Sequence, residues 1–380
     1  MNGGRTYLDW NATAPLRPVA RDAVLAALDV VGNPSSVHAE GRAARRLIEN
    51  AREQVAALVG ASPRAVYFTS GATEANAWVH RQPWRTVFFS RVEHASVLAS
   101  IEARHGDTRE IAATRSGVID LTALADALAN AGEAVAVSPG DALLTLQAAN
   151  NETGVIQPLA AAIACAKSHG IRVACDAVQM VGRAPLDCAA SGLDYMTISA
   201  HKLGGPKGVG AVIVAPDAPL APLIIGGGQE RRQRAGTENV AAIAGFGAAA
   251  QEAARDLGSV NRITALRDGL EADVLAWAPD VIIIGRDAPR LPNTTCLAVS
   301  GRSAETLVAA FDLAGIAVSA GSACSSGTVA ASHVLGAMGL DPAQVRGAIR
   351  ISLGATTTTN DIAAFLAAFK DITARVARAA

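Results

Sequence analysis

The chain has 380 residues, half of them hydrophobic and 18% charged, enough for two domains or one large one with an appended lobe. That balance excludes a disordered chain, a charged tail protein and a long solvent-exposed coil. The formal charge is −1, with no Lys/Arg stripe for a nucleic-acid groove, so no direct nucleic-acid binding is expected. No run of 18 apolar residues appears, and no N-terminal basic region leads into an apolar stretch. No membrane association is therefore expected, and the expected location is the cytoplasm.

In chain order, residues 1–16 read as irregular, with a short apolar start at Tyr7-Leu8. Residues 17–30 and 40–59 read as helices, the second closed by Gly60 and separated from the first by the turn Gly32-Asn33-Pro34-Ser35-Ser36. Residues 65–69 form a short apolar strand that runs into Ser70-Gly71-Ala72-Thr73-Glu74 and another helix. A strand, a glycine turn and a helix start together make a place to hold an anion. The pattern recurs. An apolar run at 86–90 precedes Glu93-His94, and one at 142–149 precedes Asn150-Asn151-Glu152-Thr153-Gly154. A helix follows at 158–169. Strands are then expected at 171–175, ending at Asp176, at 195–199, ending at Ala200-His201-Lys202, and at 209–214.

Apolar strands alternating with helices predict an α/β fold, a mostly parallel sheet with helices on both faces. Polar residues gather just beyond the strands, where such sheets place their sites. After Gly226-Gly227-Gly228 a long helix is expected over 239–276, with a break near Gly258. Short strands follow near 281–285, 295–299 and 316–319, which read as a smaller α+β domain. The expected division is a large domain over 16–250 and a small one built from 1–15 and 251–380.

Several residues have the chemistry of a site. Lysine is scarce, only four in the chain, yet Lys202 stands at a strand end beside His201. A lysine amine forms Schiff bases with carbonyl compounds, pyridoxal phosphate among them. Asp176, 26 positions earlier, could keep a pyridine nitrogen protonated, though a strand-terminal Asp also serves as a helix cap. The hydroxyls and N–H groups of 70–73, with Ser199 and His201, suit a phosphate. No P-loop and no G-x-G-x-x-G opening is present, which weakens ATP and dinucleotide readings. His94 could stack on a flat ring, or simply be packed. Arg350, in an alternating apolar strand, could grip a carboxylate; Arg231, Arg232 and Arg234 read equally well as surface charge.

The five cysteines, Cys165, Cys175, Cys188, Cys296 and Cys324, are odd in number and lack metal-ligand spacing, so neither a disulfide framework nor a metal site is expected. Cys165 and Cys175 read as small core residues. Cys324 differs, because Ser322, Ala323, Ser325, Ser326 and Gly327 around it offer little cover. An exposed thiol in such a loop is a nucleophile candidate.

As an ordered set, these segments resemble the fold-type I pyridoxal-phosphate enzymes of aminotransferase class V, and among them the cysteine desulfurases. The resemblance covers about 340 residues. It runs from Tyr7-Leu8-Asp9 through Thr69-Ser70-Gly71-Ala72-Thr73-Glu74, Glu93-His94, Asn150-Asn151-Glu152-Thr153-Gly154 and Asp176-Ala177-Val178-Gln179. It continues with Ser199-Ala200-His201-Lys202, Arg234-Ala235-Gly236-Thr237-Glu238-Asn239, Gly321-Ser322-Ala323-Cys324 and Ile349-Arg350. The resemblance implies that Lys202 holds pyridoxal 5'-phosphate, that Asp176 pairs with its pyridine nitrogen, that Gln179 meets its phenolic oxygen and that His94 stacks on the ring. It implies phosphate contacts from Ala72, Thr73, Ser199 and His201, with Thr237 supplied by the partner of a homodimer. Asn151 and Arg350 would bind the carboxylate of L-cysteine. Cys324, on a loop at about 319–332, would accept the sulfur and pass it to an acceptor such as an iron–sulfur scaffold protein. A selenocysteine lyase and a class-V aminotransferase are the alternative activities. Trp10 and Gly204 depart from the family's usual residues, as does Ser325; Trp10 is expected to add bulk near the substrate.

Overall fold

The structure is a computed structural model, and it describes residues 4–134, 140–321 and 331–377. A two-residue strand, β1 (Thr6–Tyr7), comes first. The seven strands of the main sheet follow: β2 (Val66–Thr69), β3 (Thr86–Phe89), β4 (Asp107–Glu110), β5 (Ala142–Thr145), β6 (Arg172–Asp176), β7 (Tyr195–Ser199) and β8 (Gly210–Val214). Their order across the sheet is β2-β8-β7-β6-β5-β3-β4. Only β8 runs against its neighbours; the pairings among β7, β6, β5, β3 and β4 are all parallel. The expected mostly parallel α/β sheet is therefore the observed one.

The apolar runs form central strands because both faces are covered. Phe88, Leu144, Val173, Met196, Ile198 and Ile213 point into one core, under helices Ala39–Leu58, Leu159–Ser168 and Val240–Asp256. Their alternates Val87, Phe89, Leu143, Ala174, Tyr195 and Val212 enter a second core against Trp78, Leu98 and Ile101. Strands β3, β5, β7 and β8 are thus buried at every position and mostly apolar, as cover on two sides requires. Edge strand β4 is the exception. Asp107, Thr108 and Glu110 are exposed, and the charged edge discourages pairing with another chain. The sequence reading has no strand at 107–110, because nothing there is apolar.

A second sheet carries β9 (Ile282–Ile283), β10 (Thr294–Ala298), β12 (Ser319–Ala320) and β13 (Ala348–Ser352), in the order β12-β13-β10-β9 and antiparallel throughout. The intervening β11 (Ile316–Ala317) pairs in parallel with β1 instead. Helices Val260–Trp277, Ala304–Leu313 and Thr359–Ala377 cover this sheet. Its core holds Leu8 from the N-terminal segment and the stacked rings of Phe311 and Phe365, 5.1 Å apart. The long helix expected over 239–276 is two helices, parted by a tight turn at Leu257–Ser259.

The N-terminal segment joins the two sheets. Asp9 bridges to Ser352 of β13, and the Asn11 backbone N–H donates to Ser352 Oγ at 2.9 Å. The Ala14 N–H then reaches the His201 carbonyl beyond β7. Among the described residues no helix is long and apolar enough to cross a membrane.

Candidate functional site

A cavity of about 520 Å³ opens at the carboxyl ends of β3, β5, β6 and β7. Ten of the twelve residues expected in the site line it: Ala72, Thr73, His94, Asn151, Asp176, Gln179, Ser199, His201, Lys202 and Arg350. Thr237 lies in a neighbouring hollow that shares only Ser70 and Gly208 with the cavity. Cys324 falls outside the described residues.

Chain geometry explains the convergence. β6 and β7 end in Asp176 and Ser199, so a parallel pair delivers both to one edge, and Lys202 follows within the short turn Ala200–Lys202. β2 ends at Thr69 and turns through Ser70-Gly71 into helix Ala72–His80. That turn packs tightly against β8. A Cβ on Gly210 would meet the Gly71 backbone at 2.7 Å, so only glycine permits the approach. Arg350 comes from the other sheet, on β13, opposite Cys296 of β10.

Each group has a definite set of partners. Asp176 Oδ2 accepts from Asn76 Nδ2 at 2.9 Å, and Oδ1 accepts from the Val178 N–H at 3.1 Å. Lys202 Nζ donates to the Asn11 and Ala12 carbonyls, the second at 2.9 Å. Gln179 Nε2 donates to the Asn11 carbonyl at 3.1 Å, and its Oε1 accepts from Arg183. His94 caps helix Ala95–Glu102: its Nδ1 accepts from the Ser96 N–H at 3.1 Å, which leaves the ring proton on Nε2. His201 Nδ1 lies 3.2 Å from Thr13 Oγ1. Burial, with Lys202, Lys207 and Arg183 close by, pushes His201 down to about 4, so it is neutral at neutral pH.

Arg350 is 3% exposed. It donates to Asp9 Oδ1 at 2.7 Å and to the Asn151 carbonyl at 3.0 Å, while its Nε has no partner among the described residues. Two buried carboxyls stand behind the cavity. Burial, reinforced by Asp176, pushes Glu93 up to about 8. Burial pushes Glu152 up to about 7, against the pull of Ser332, Arg350 and His94; Ser332 Oγ donates to Glu152 Oε2 at 2.6 Å.

The residues fit pyridoxal phosphate. Helix Ala72–His80 has no side-chain cap, and its N-terminal residues Gly71, Ala72 and Thr73 face the cavity with Ser199, His201 and Lys207. Uncapped N–H groups at a helix start are donors awaiting an anion. Asp176, Gln179, His94 and Lys202 share that cavity and would meet the pyridine nitrogen, phenolic oxygen, ring face and carbonyl.

The structure also departs from the sequence reading. Trp10 does not line the cavity. Its indole lies against Gly354, in an adjoining cleft with Arg17, Arg183 and Pro292 that shares only Lys202 with the cavity. Arg231 and Arg234 are not idle surface charge. The Arg231 guanidinium sits 4.0 Å over the Tyr67 ring, and Arg234 pairs with Glu74 at 2.9 Å. Cys175 is buried in the core as expected, whereas Cys165 is only partly covered. The sequence reading missed Asn11, Thr13, Ser96, Gln147 and Lys207 as lining residues. Asn11 presents its one backbone carbonyl to both Lys202 and Gln179, and backbone atoms leave no mark in composition or periodicity.

A family model described as aminotransferase class-V matches residues 6–365. An IscS-like cysteine desulfurase of Mycobacterium tuberculosis is 40% identical over 390 residues, covering 98% of each chain. A cysteine desulfurase of Cereibacter sphaeroides is 41% identical over 370 residues, covering 94% of this chain and 93% of the other. Among solved structures, a NifS-like protein from Rickettsia africae superimposes with a TM-score of 0.89 at 36% identity, covering 97% of this chain and 99% of that one.

Proposed function

The chain belongs to the aminotransferase class-V family and is a pyridoxal-phosphate-dependent cysteine desulfurase, and we propose that its chemistry runs through Lys202, Asp176, His94, Arg350 and Cys324. The observation that carries this assignment is the meeting in one cavity of a lysine, a buried carboxylate, a histidine and an arginine drawn from two different sheets.

When bound, pyridoxal phosphate supplies a carbonyl for the substrate amine and a pyridine that takes up electrons from Cα. The protein's residues do the rest. Lys202 would hold the carbonyl at rest, and its amine would move the Cα proton of the substrate. Asp176 keeps the pyridine nitrogen protonated, Gln179 meets the phenolic oxygen and His94 covers the ring face. Ala72, Thr73, Ser199 and His201 hold the phosphate. Asn151 and Arg350 orient the carboxylate of L-cysteine. The Cys324 thiolate attacks the substrate sulfur, so that the Cβ–Sγ bond breaks and an S–S bond forms. The substrate takes up protons and leaves as L-alanine, and Cys324 remains as a persulfide.

The wider setting follows from the same reading. The protein acts as a homodimer whose 234–239 strip crosses to the partner, with Thr237 contributing to the partner's phosphate site; Thr237 is exposed and close to Ser70 and Gly208. It works in the cytoplasm and passes its sulfur to an acceptor, an iron–sulfur scaffold protein being the expected class.

The test is a sulfide and alanine assay on the purified, cofactor-loaded protein. Cysteine is expected to yield alanine and, with reductant, sulfide. Without reductant, the peptide containing Cys324 is expected to gain the mass of one sulfur atom. Cys324→Ala is expected to bind cysteine yet release little alanine. Full turnover in that variant, or a persulfide on Cys165, Cys175, Cys188 or Cys296 instead, would overturn the assignment.

A further inference from the structure

Asn76 lies in helix Ala72–His80, is 2% exposed and does not line the cavity. Its carboxamide is nonetheless tied to the site through its nitrogen and held at its oxygen. Nδ2 donates to Asp176 Oδ2 at 2.9 Å and to Ser96 Oγ at 3.2 Å. Oδ1 accepts from Thr197 Oγ1 at 2.6 Å. A carboxylate only accepts, so the amide nitrogen must face Asp176, and the Thr197 hydroxyl holds the other end in that sense.

The same amide reaches His94. Ser96 Oγ accepts from Asn76 and lies 2.8 Å from His94 Nδ1. Nδ1 already accepts the Ser96 N–H, so the hydroxyl donates to it as well. Behind Asn76, His80 Nδ1 sits 2.6 Å from the Asn76 carbonyl and must be its donor; His80 Nε2 lies 3.2 Å from Thr145 Oγ1. Burial pushes His80 down to about 4, so this backing stays uncharged at neutral pH. A neutral, fully hydrogen-bonded support therefore connects two groups that line the cavity from different strands, Asp176 at the end of β6 and His94 after β3.

We propose that Asn76 is a positioning residue for the reaction, one carboxamide fixing the rotation of the Asp176 carboxylate and, through Ser96, the tautomer of the His94 ring. The inference rests on the reading that Asp176 and His94 hold the cofactor. Two of the carboxylate's lone-pair directions are taken by Asn76 and Val178, which leaves the remainder toward the cavity that Asp176 lines. A group that orients a ligand-binding side chain in this way is worth about 10–100-fold in affinity at comparable metal sites.

The experiment uses the full chain and pyridoxal phosphate itself. Asn76→Leu keeps the volume and removes every amide bond. It is expected to weaken pyridoxal-phosphate binding, measured by visible-absorbance titration, by about tenfold or more. It is also expected to alter the circular dichroism of the bound cofactor, and to lower kcat while leaving KM for cysteine unchanged. In combination with Asp176→Asn, Asn76→Leu should add less than its loss alone, because part of its effect acts through that carboxylate. Thr197→Val, a milder change that frees only the oxygen end of the amide, should show the same split with a smaller loss even if Asn76→Leu fails to fold. Unaltered cofactor affinity and dichroism in Thr197→Val or in a folded Asn76→Leu would overturn the role of Asn76, as would fully additive losses with Asp176→Asn. Asp176→Asn that binds the cofactor as tightly as the wild type would overturn both, and would place the failure in the reading of Asp176.

Discussion

The two ends of the cavity are built on opposite plans. At Asp176 both carboxylate oxygens accept from protein donors, and the amide behind them is itself tied to Thr197 and Ser96. At Arg350, buried more deeply still, Nε is left without a partner among the described residues, and the rest of the guanidinium rests on Asp9 and one carbonyl. A buried donor left unmet costs about 1–3 kcal/mol, and a substrate carboxylate that meets it recovers that cost on binding. On the proposed reading Asp176 holds one geometry through every turnover, and the protein anchors each of its oxygens with one donor. On the same reading Arg350 receives and releases a carboxylate, and its Nε stands as an open donor.

The largest expected effect lies between the two ends, at Lys202. Lys202→Ala is expected to lower kcat by about 10³-fold or more, since both the covalent hold and the proton acceptor are removed. Borohydride reduction of the loaded wild type, followed by peptide mapping, should label Lys202. A label on Lys167, Lys207 or Lys370 would break the comparison at its centre.

Arg350→Ala comes next. It is expected to raise KM for cysteine by tens- to hundreds-fold, about 2–4 kcal/mol, while leaving pyridoxal-phosphate affinity intact. An unchanged KM would show that the carboxylate binds elsewhere. A parallel loss of cofactor affinity would show that the two ends are not independent.

Glu93 extends the contrast to pH. Its carboxyl has an ordinary value of 4.5 and stands near 8 in the fold, raised by burial and then by Asp176. The unfolded chain therefore loses this proton first. Its contribution to stability is full below 4.5 and is lost as pH rises toward 8, at roughly 1 kcal/mol per pH unit. His80 runs the other way, because its value falls from 6.5 to about 4; its contribution is full above 6.5 and lost as pH falls through 4. Glu93→Gln should flatten the decline between pH 5 and 8 when denaturant unfolding is followed across that range. An identical slope in wild type and variant would mean that Glu93 is already ionised in the fold.

The smallest effect concerns a place outside the cavity. A Cβ on Gly354 would lie 1.9 Å from the Trp10 ring. Gly354→Ala is expected to cost about 1–3 kcal/mol of stability, read as a lower Tm, through overpacking alone. A changed KM for cysteine in this variant would return Trp10 to the substrate end, contrary to its observed position.

Part of this protein was legible before any fold was known. Residues 86–89, 142–145, 195–199 and 210–214 are mostly apolar and wholly buried, as strands covered on both faces are. Asp176 and Lys202 stood out because parallel strands deliver the residues at their ends to one edge. What the sequence by itself determined was therefore the class of sheet and the chemical groups along its carboxyl edge. Tertiary structure alone decided the rest. β4 is a strand through backbone bonds to β3, and its side chains give no apolar signal. The Asn11 and Ala12 carbonyls receive Lys202 because β1 pairs with β11, some 310 residues away, and carries the N-terminal segment across both sheets. Asn76 reads as one more helical residue until helix packing sets its amide between Thr197, Ser96 and Asp176. Side-chain pattern records burial, which a sequence can show; hydrogen bonds between distant segments depend on where each backbone lies, and only the folded chain settles that.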